Sequence, residues 1–180
     1  IENARLFELE HHRRNQAEIL SQATSALANT LDIDSLYENM LDWLQKIAPY
    51  DSASIMLHSG NMERFVAMRN LPCTFQVGQT FPMTKKWKQV ADSRRPYIAD
   101  DAQQSEYFEK WEDTSYIRGW MCIAMYIQDK LIGFINLDSK TPGAFTEEHG
   151  ILAQTFGNQA ATAIETARLF ELDQKRRKNA

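Results

Sequence analysis

The chain has 180 residues, 43% hydrophobic and 24% charged, a composition that suits one globular domain with a sizeable core. A formal net charge of -4 leaves no broad basic surface, so nucleic acid is not an expected partner. No apolar run approaches the roughly 18 residues of a membrane span. Cys73 and Cys122 form no C-x-x-C pair, which favours a reducing compartment. We therefore expect a cytoplasmic domain with no membrane segment in this sequence.

The first predicted element is a long helix from Ile1 to about Asn29, where Pro and Gly are absent and apolar residues recur at three- and four-residue steps. A second helix follows, with Asp32 or Asp34 as its N-cap and Pro49 closing it. Its predicted buried face comprises Leu36, Met40, Trp43 or Leu44, and Ile47.

Residues 52–71 contain two β-rich runs separated by Ser59, Gly60 and Asn61, which predicts a β-hairpin because these residues tolerate the positive φ of a tight turn. A short strand at 78–83 and a helix at 85–93 come next. The segment around Pro96 is predicted to be extended.

Residues 119–138 predict a second hairpin with a tight turn at 128–130. Both faces of its first strand are apolar, and a sheet of that kind must be covered on both sides. Met121, Ile123, Met125 and Ile127 form one face, and Trp120, Cys122, Ala124 and Tyr126 form the other.

The last predicted element is a helix that starts at the N-cap Thr146 and continues to the end of the sequence. Glu147 and Glu148 lie in its first turn, where the helix dipole favours carboxylates. About 30 residues at 1.5 Å each give a rod of about 45 Å, so part of it must project from a small domain. Its apolar stripe comprises Leu152, Phe156, Ala160, Ala163, Ala167 and Phe170.

The sequence begins and ends on nearly the same ten letters. Residues 1–10 read IENARLFELE and residues 164–173 read IETARLFELD, identical at eight of ten positions. A repeat at one constant offset points to a repeated structural unit. The other interpretation is two unrelated helices of similar amphipathic pattern. The start in mid-pattern, without an initiator Met, suggests a piece of a longer protein.

The order of elements, together with the run LIGFINLDSKTPGAFTEEHGILAQTFGNQAATAIETARLF, resembles a GAF domain. The features that carry the resemblance are Ile132-Gly133, Ser139, Pro142, Phe145, Thr146 to Glu148, Leu152, Ala160 and Ala163-Ile164. The resemblance implies a three-layer α+β fold, related to PAS domains, with a central antiparallel sheet of about six strands. The N- and C-terminal helices would cover one face, and short helices and loops would form a pocket on the other.

The resemblance also gives an interpretation of the repeat. In a tandem array, the closing helix of one GAF domain continues into the opening helix of the next. Residues 1–19 would then be an incoming linker helix from an upstream GAF-like domain, residues 20–163 the GAF domain, and residues 164–180 the outgoing linker helix. The implied context is a bacterial signalling protein, either a sensor histidine kinase or a cyclic-dinucleotide enzyme.

Flanking helices of this kind are expected to pair with their copies in a parallel homodimer. The residues predicted for the dimer and linker helix are Ala160, Ala163, Ile164, Ala167 and Phe170.

The stretch before the second hairpin is rich in aromatic residues, and by the resemblance it forms the wall and lid of a small-molecule pocket. Tyr107 and Trp111 would share a helix face. Arg118, like Arg94 and Arg95, could contact an anionic ligand. The alternative is that the rings fill the pocket themselves and leave a structural module. The predicted ligand-binding set is Tyr97, Tyr107, Phe108, Trp111, Tyr116, Arg118 and Trp120.

No particular cofactor is implied. Cyclic-nucleotide-binding GAF domains carry an Asn-Lys, Phe, Asp-Glu signature, and here the Asn and Asp are replaced in Ser139-Lys140 and Glu147-Glu148. Neither Cys73 nor Cys122 precedes a His, so a bilin is not expected. His58 and His149 have no spaced partner, so neither haem nor a metal site is expected.

Two classes of function stay open. One is a noncatalytic sensory and dimerisation module. The other is a stand-alone GAF-fold enzyme such as a free-methionine sulfoxide reductase, which needs an accessible thiolate of low pKa. Cys122 lies in mid-strand and is expected to be buried. The acidic pairs Asp100-Asp101 and Glu112-Asp113 have no matching nucleophile or base, so we expect no catalytic residues.

Overall fold

The computed structural model describes all 180 residues, and its six strands form one antiparallel sheet in the order β3-β2-β1-β6-β5-β4. The elements are α1 (Glu2–Ala28), α2 (Ile33–Ile47), β1 (Ser52–Ser59), β2 (Met62–Arg69), β3 (Thr80–Pro82), α3 (Lys85–Ser93), β4 (Tyr97–Ala99), β5 (Gly119–Ile127), β6 (Lys130–Ser139) and α4 (Glu147–Lys178). The predicted α+β class and six-stranded sheet are confirmed. None of the four α-helices has both the length and the apolar surface needed to cross a lipid bilayer.

The predicted helix starts are confirmed by their caps. The side chains of Asp32 and Thr146 accept hydrogen bonds from Ser35 and His149 backbone amides, at 2.9 and 3.2 Å. Each cap satisfies a backbone donor that the first turn of a helix leaves without a partner. These caps fix where α2 and α4 begin.

The two faces of the sheet have different chemistry because side chains alternate along each strand. On one face, Ile55 of β1 lies opposite Ile135 of β6, and Ile123 of β5 lies on the other side of Ile135. This face packs against α1, α2 and α4 and forms the main core. On the opposite face, Ser54 lies beside Asn136, and Asn136 lies beside Cys122. The buried polar residues Ser54 and Asn136 thus lie on this second face.

The long helices α1 and α4 run side by side in the same direction. His12 of α1 contacts Glu148 of α4 at 3.2 Å, and Thr24 donates a hydrogen bond to Gln159. The sequence separation is nearly constant along the contact, so residue i of α1 lies level with about residue i+136 of α4. At 1.5 Å per residue, α1 projects about 15 Å before α4 begins, and α4 continues about 20 Å beyond the end of α1.

The prediction that Tyr107 and Trp111 share a helix face is wrong. Between β4 and β5, residues 100–118 contain only two short 3-10 turns, Ala102–Gln104 and Glu112–Thr114. Local side chains capture the backbone amides instead, because Asp101, Ser105 and Thr114 accept from them at 3.0–3.2 Å. Short polar side chains that bond the backbone in this way compete with helix formation.

Three residues predicted for the dimer helix are unavailable to a second chain. Ala160, Ile164 and Ala167 are fully buried in the chain's own core. Ala163 is partly buried against the same core, and only Phe170 of the predicted set is exposed. The alanine stripe of α4 therefore allows close packing within one protomer, since α1, α2 and β5 all contact this helix.

Candidate functional site: an aromatic cavity on the sheet

A cavity of about 270 Å³ lies on the face of the sheet away from α1, α2 and α4. Its floor is formed by β1 and β6, which contribute Ser54, Met56, Asn136 and Asp138. Thr84 and Trp87, at the start of α3, lie above this floor. This volume is slightly below the roughly 300–1,000 Å³ of typical ligand pockets, so the cavity suits a small ligand.

Seven aromatic rings line the cavity, in two groups. Phe65, Phe75, Phe81 and Trp111 form one wall, with successive ring centroids 5.3–6.1 Å apart. The other wall contains Phe108 packed on Trp120, with centroids 5.3 Å apart, and Trp87. Ring contacts at these distances, mostly edge-to-face, stabilise the packing of the walls. Trp111 is 47% exposed and stands at the mouth.

A short polar network crosses the floor. The indole N–H of Trp120 donates to Oδ1 of Asn136 at 3.2 Å, and Nδ2 of Asn136 donates to Oγ of Ser54 at 3.4 Å. All three residues are buried. These hydrogen bonds fix the orientation of the Asn136 amide and of the Trp120 ring.

Asp138 is the charged group of the floor, and it is only 4% exposed. Oγ of Ser52 donates to Oδ2 of Asp138 at 2.7 Å, and Oγ of Ser52 also lies 2.7 Å from the hydroxyl of Tyr116. No donor of the protein reaches the other carboxylate oxygen, Oδ1, of this cavity-lining residue. Burial raises the pKa of the Asp138 carboxyl to about 7, because the hydrogen bond from Ser52 offsets only part of the lost hydration.

The charge of the lining has one sign. Glu109, exposed at the edge, and the buried Asp138 are its two carboxyl groups, and no Lys, Arg or His lines the cavity. An anionic ligand would therefore bring a further negative charge beside Asp138. The arrangement suits a small ligand with an apolar body and a group that donates hydrogen bonds or carries positive charge.

Three of the seven predicted ligand-binding residues line the cavity: Phe108, Trp111 and Trp120. The other four, Tyr97, Tyr107, Tyr116 and Arg118, lie outside the lining.

These four residues have partners within the fold. Tyr97 packs between Tyr107 and Trp120, with ring centroids 4.8 and 5.4 Å apart. Arg118 forms a two-point ion pair with Asp101 at 2.7 and 3.1 Å. Tyr116 reaches Asp138 through Ser52. Their part in ligand binding stays a prediction.

Sequence reasoning did not find Asn136 and Asp138, two of the three polar residues of the floor. Their signal was present in the run Phe134, Asn136, Asp138, which alternates with the apolar residues Ile135 and Leu137. Period-two alternation puts the three on one face of the strand. A carboxylate is rarely buried without a partner, so a predicted inward-facing Asp is a candidate site residue.

The remaining titratable groups do not form a metal site, since no three His, Cys, Asp or Glu side chains are grouped to hold an ion. His58 pairs with the buried Glu63 on the β1–β2 hairpin, and burial raises the pKa of that carboxyl. Cys122 is buried and Cys73 is exposed.

These features define a small α+β domain with helices on one face of an antiparallel sheet and a cavity on the other. The chain belongs to the GAF domain family, because the model of the GAF domain matches residues 30–165. No protein of curated function matches the chain.

Solved structures agree with this assignment. The GAF domain of a phosphoenolpyruvate-protein phosphotransferase from Coxiella burnetii superposes with a TM-score of 0.75 at 20% identity, over 88% of this chain and 98% of that one. The free methionine-R-sulfoxide reductase from Neisseria meningitidis, in complex with its substrate, gives 0.70 at 15% identity, over 86% and 90%. The GAF domain of a two-component sensor histidine kinase from Bacillus halodurans gives 0.63 at 16% identity, over 79% and 99%. At these identities the similarity concerns the fold.

Proposed function

We propose that this chain is a noncatalytic sensory and dimerisation module of a multidomain signalling protein. The observation that carries the proposal is the pattern of exposed apolar residues on the two helix ends. Leu6, Phe7 and Leu9 are exposed on α1, and their equivalents in the repeat, Leu169, Phe170 and Leu172, are exposed on α4. The same three positions therefore lack a partner at both ends of the domain.

A second copy of the chain is the proposed partner for these side chains. Burying apolar surface contributes about 25 cal/mol per Å², and parallel helices in a two-fold dimer bring identical stripes together. Leu6 and Phe7 project before the start of α4, and Leu169 and Phe170 lie beyond the end of α1. A parallel pair of chains would therefore cover both ends at once.

The geometry of α1 and α4 supports transmission of a signal along the chain. A residue of α1 lies level with the residue about 136 positions later in α4, whereas its equivalent in the repeat lies 163 positions later. The two copies of the repeat are therefore displaced by about 27 residues along the helix axis. That is about 40 Å. In the proposed tandem array, residues 1–19 belong to the incoming rod, residues 20–163 to the sensor and residues 164–180 to the outgoing rod. A ligand that shifts or rotates one rod would move the next module.

The proposed parent is a cytoplasmic bacterial signalling protein in which neighbouring GAF domains and an output domain follow the rod. The similarity of fold to the GAF domain of a sensor histidine kinase supports this context. A histidine kinase and a cyclic-dinucleotide enzyme are the two proposed outputs, and either would receive a rotation or register shift of the rods.

The dimer is tested by charge substitution on the exposed stripe. We expect the wild-type protein to sediment as a dimer, and the double variant Phe7→Glu/Phe170→Glu to sediment as a monomer, because a dimer would bury four carboxylates in an apolar contact. The effect on the dissociation constant should be at least 100-fold, measured by sedimentation equilibrium.

Val77→Glu provides the control. Val77 is also an exposed apolar residue, but it lies in the loop between β2 and β3. This variant should sediment as the wild type does. A wild-type protein that stays monomeric at the highest attainable concentration would contradict the proposal.

The absence of catalysis is a separate part of the proposal. A sulfoxide reductase of this fold needs an accessible thiolate, whereas Cys122 is 1% exposed and its pKa is raised by burial and by the nearby carboxylates of Glu63 and Asp138. We expect no reduction of free methionine sulfoxide by the wild-type protein with dithiothreitol as reductant. Turnover that was lost in Cys122→Ser but kept in Cys73→Ser would establish the reductase alternative.

A further inference from the structure

The cavity combines seven aromatic rings with one buried carboxyl and no cationic side chain. We propose that the ligand of this cavity is a small organic ammonium ion, held by ionised Asp138 and by the faces of the surrounding rings. This inference rests on the proposed sensory function, because it names the class of molecule that the module would detect.

The aromatic lining favours a cation over a neutral molecule of the same shape. A cation within about 6 Å of a ring centroid is attracted to the ring face, most strongly for Trp. Trp87, Trp111 and Trp120 all line the cavity, and so do four Phe rings. An ammonium group loses strong hydration when it is buried, and several ring faces together with one carboxylate offset that loss.

One carboxylate oxygen of Asp138, Oδ1, is available to contact such an ion. Ser52 occupies Oδ2, and no protein donor reaches Oδ1. When Asp138 is ionised, Ser52 donates to it, so the hydroxyl of Tyr116 donates to Ser52. This chain orients the carboxylate without neutralising it. Tyr116 is thus a positioning residue for Asp138.

The same cavity disfavours anions such as carboxylates and phosphates. Nearby Arg residues are engaged elsewhere: Arg118 pairs with Asp101, and Arg94 pairs with Asp129 and stacks on Tyr126. Lys86 donates to the backbone of Glu106. An anion would thus meet Asp138 without a counter-charge in the lining.

Binding of a cation should be linked to proton release. The pKa of Asp138 lies near 7 in the free protein, and a bound cation stabilises the ionised form. The other titratable groups around Asp138 are Tyr116 through Ser52, Cys122 on β5, and Asp51, whose backbone amide donates to the Asp138 carbonyl; Glu109 lies in the same cavity lining. Burial raises the pKa values of the Tyr116 hydroxyl and the Cys122 thiol, so both stay neutral at pH 6–8.

The test compares three probes of nearly equal shape: choline, its neutral carbon isostere 3,3-dimethyl-1-butanol, and the anion 3,3-dimethylbutanoate. Binding is followed by calorimetry and by tryptophan fluorescence, for which Trp43→Phe removes the one Trp that does not line the cavity. We expect choline to bind at least tenfold more tightly than the neutral isostere, and the anion not to bind. Choline affinity should rise between pH 6 and pH 8, with a proton released on binding at pH 6.5.

Two variants identify the groups responsible. Asp138→Asn should weaken choline binding at least tenfold and remove its pH dependence, while binding of the neutral isostere stays within about twofold. Trp111→Leu, which keeps apolar bulk at the mouth, should weaken choline binding several-fold more than it weakens the isostere. Asp129→Asn is the matched control, because Asp129 is an exposed carboxylate far from the lining, and it should leave both affinities unchanged.

The inference is overturned if choline fails to bind, if the neutral isostere binds as tightly as choline, or if Asp138→Asn binds choline as the wild type does. If only the neutral isostere or only the anion bound, the ammonium inference would be wrong and the cavity would bind another class of molecule. The dimer and the linker rods are decided independently by sedimentation, so failure of the ammonium inference is distinguishable from failure of the sensory module.

Discussion

Gly133→Ala is expected to destabilise the domain by about 3 kcal/mol, at the upper end of the loss that overpacking and displaced backbone produce. A Cβ at position 133 would lie 1.9 Å from the carbonyl oxygen of Met56 and 3.0 Å from Cα of Leu57. Both atoms belong to the backbone of β1, so no side-chain rotation relieves the clash. The strand must move away from β6, and the hydrogen bonds between the two central strands weaken. Urea denaturation followed by circular dichroism measures the loss.

Gly157→Ala is the matched control for this prediction. Its Cβ would meet side-chain atoms of Ile123, Ile135 and Met125 at 3.2–3.5 Å. These contacts are tight but belong to flexible groups, and alanine in mid-helix gains up to about 1 kcal/mol over glycine. We expect a change within about 1 kcal/mol of the wild type. Equal losses at the two positions would show that close backbone approach is not the reason for Gly133.

Most of the fold could be predicted from the sequence because local signals and tertiary packing agree. The caps Asp32 and Thr146, the Gly60-Asn61 turn and the alternation of residues 120–127 each indicate an element that the structure contains. The one wrong element, the helix proposed for Tyr107 and Trp111, lies where Asp, Ser and Thr side chains bind the backbone amides. Aromatic spacing there matched a helical period by coincidence, and turn chemistry decided the structure.

The candidate site was only half predictable, for a different reason. The aromatic residues Phe108, Trp111 and Trp120 were found because the resemblance to GAF domains places this aromatic-rich stretch at the wall of the pocket. Ser54 of β1 and Asn136 of β6 meet only because β1 and β6 are neighbours, although 82 residues separate them in the chain. Strand order is a tertiary property that a single sequence does not display. The exposure of Phe170 and the burial of Ala167, three residues apart, likewise depend on where α2 packs.

Asp138→Asn is expected to stabilise the protein by about 2–4 kcal/mol above pH 8 and to leave it nearly unchanged at pH 4. The folded-state pKa of Asp138, about 7, lies above the ordinary value of 3.8 that applies to the unfolded chain. The unfolded chain therefore gives up its proton first, and wild-type stability falls as the pH rises from about 4 to about 7. Each pKa unit corresponds to 1.36 kcal/mol. Asparagine keeps an acceptor for Ser52 but never carries the charge. Urea denaturation at several pH values measures the difference.

Asp129→Asn, at an exposed carboxylate, should show no pH-dependent difference from the wild type. If the change in stability caused by Asp138→Asn did not depend on pH, burial would not raise the pKa of Asp138. If Asp138→Asn is more stable than the wild type at high pH and also binds choline more weakly, the Asp138 carboxylate both destabilises the empty domain and binds the ligand. Such a domain is less stable when empty than when occupied, so the ligand strengthens the face of the sheet opposite α1 and α4. Since β5 contacts both α4 and the cavity residue Asn136, it is the element through which we propose that ligand binding reaches the rods.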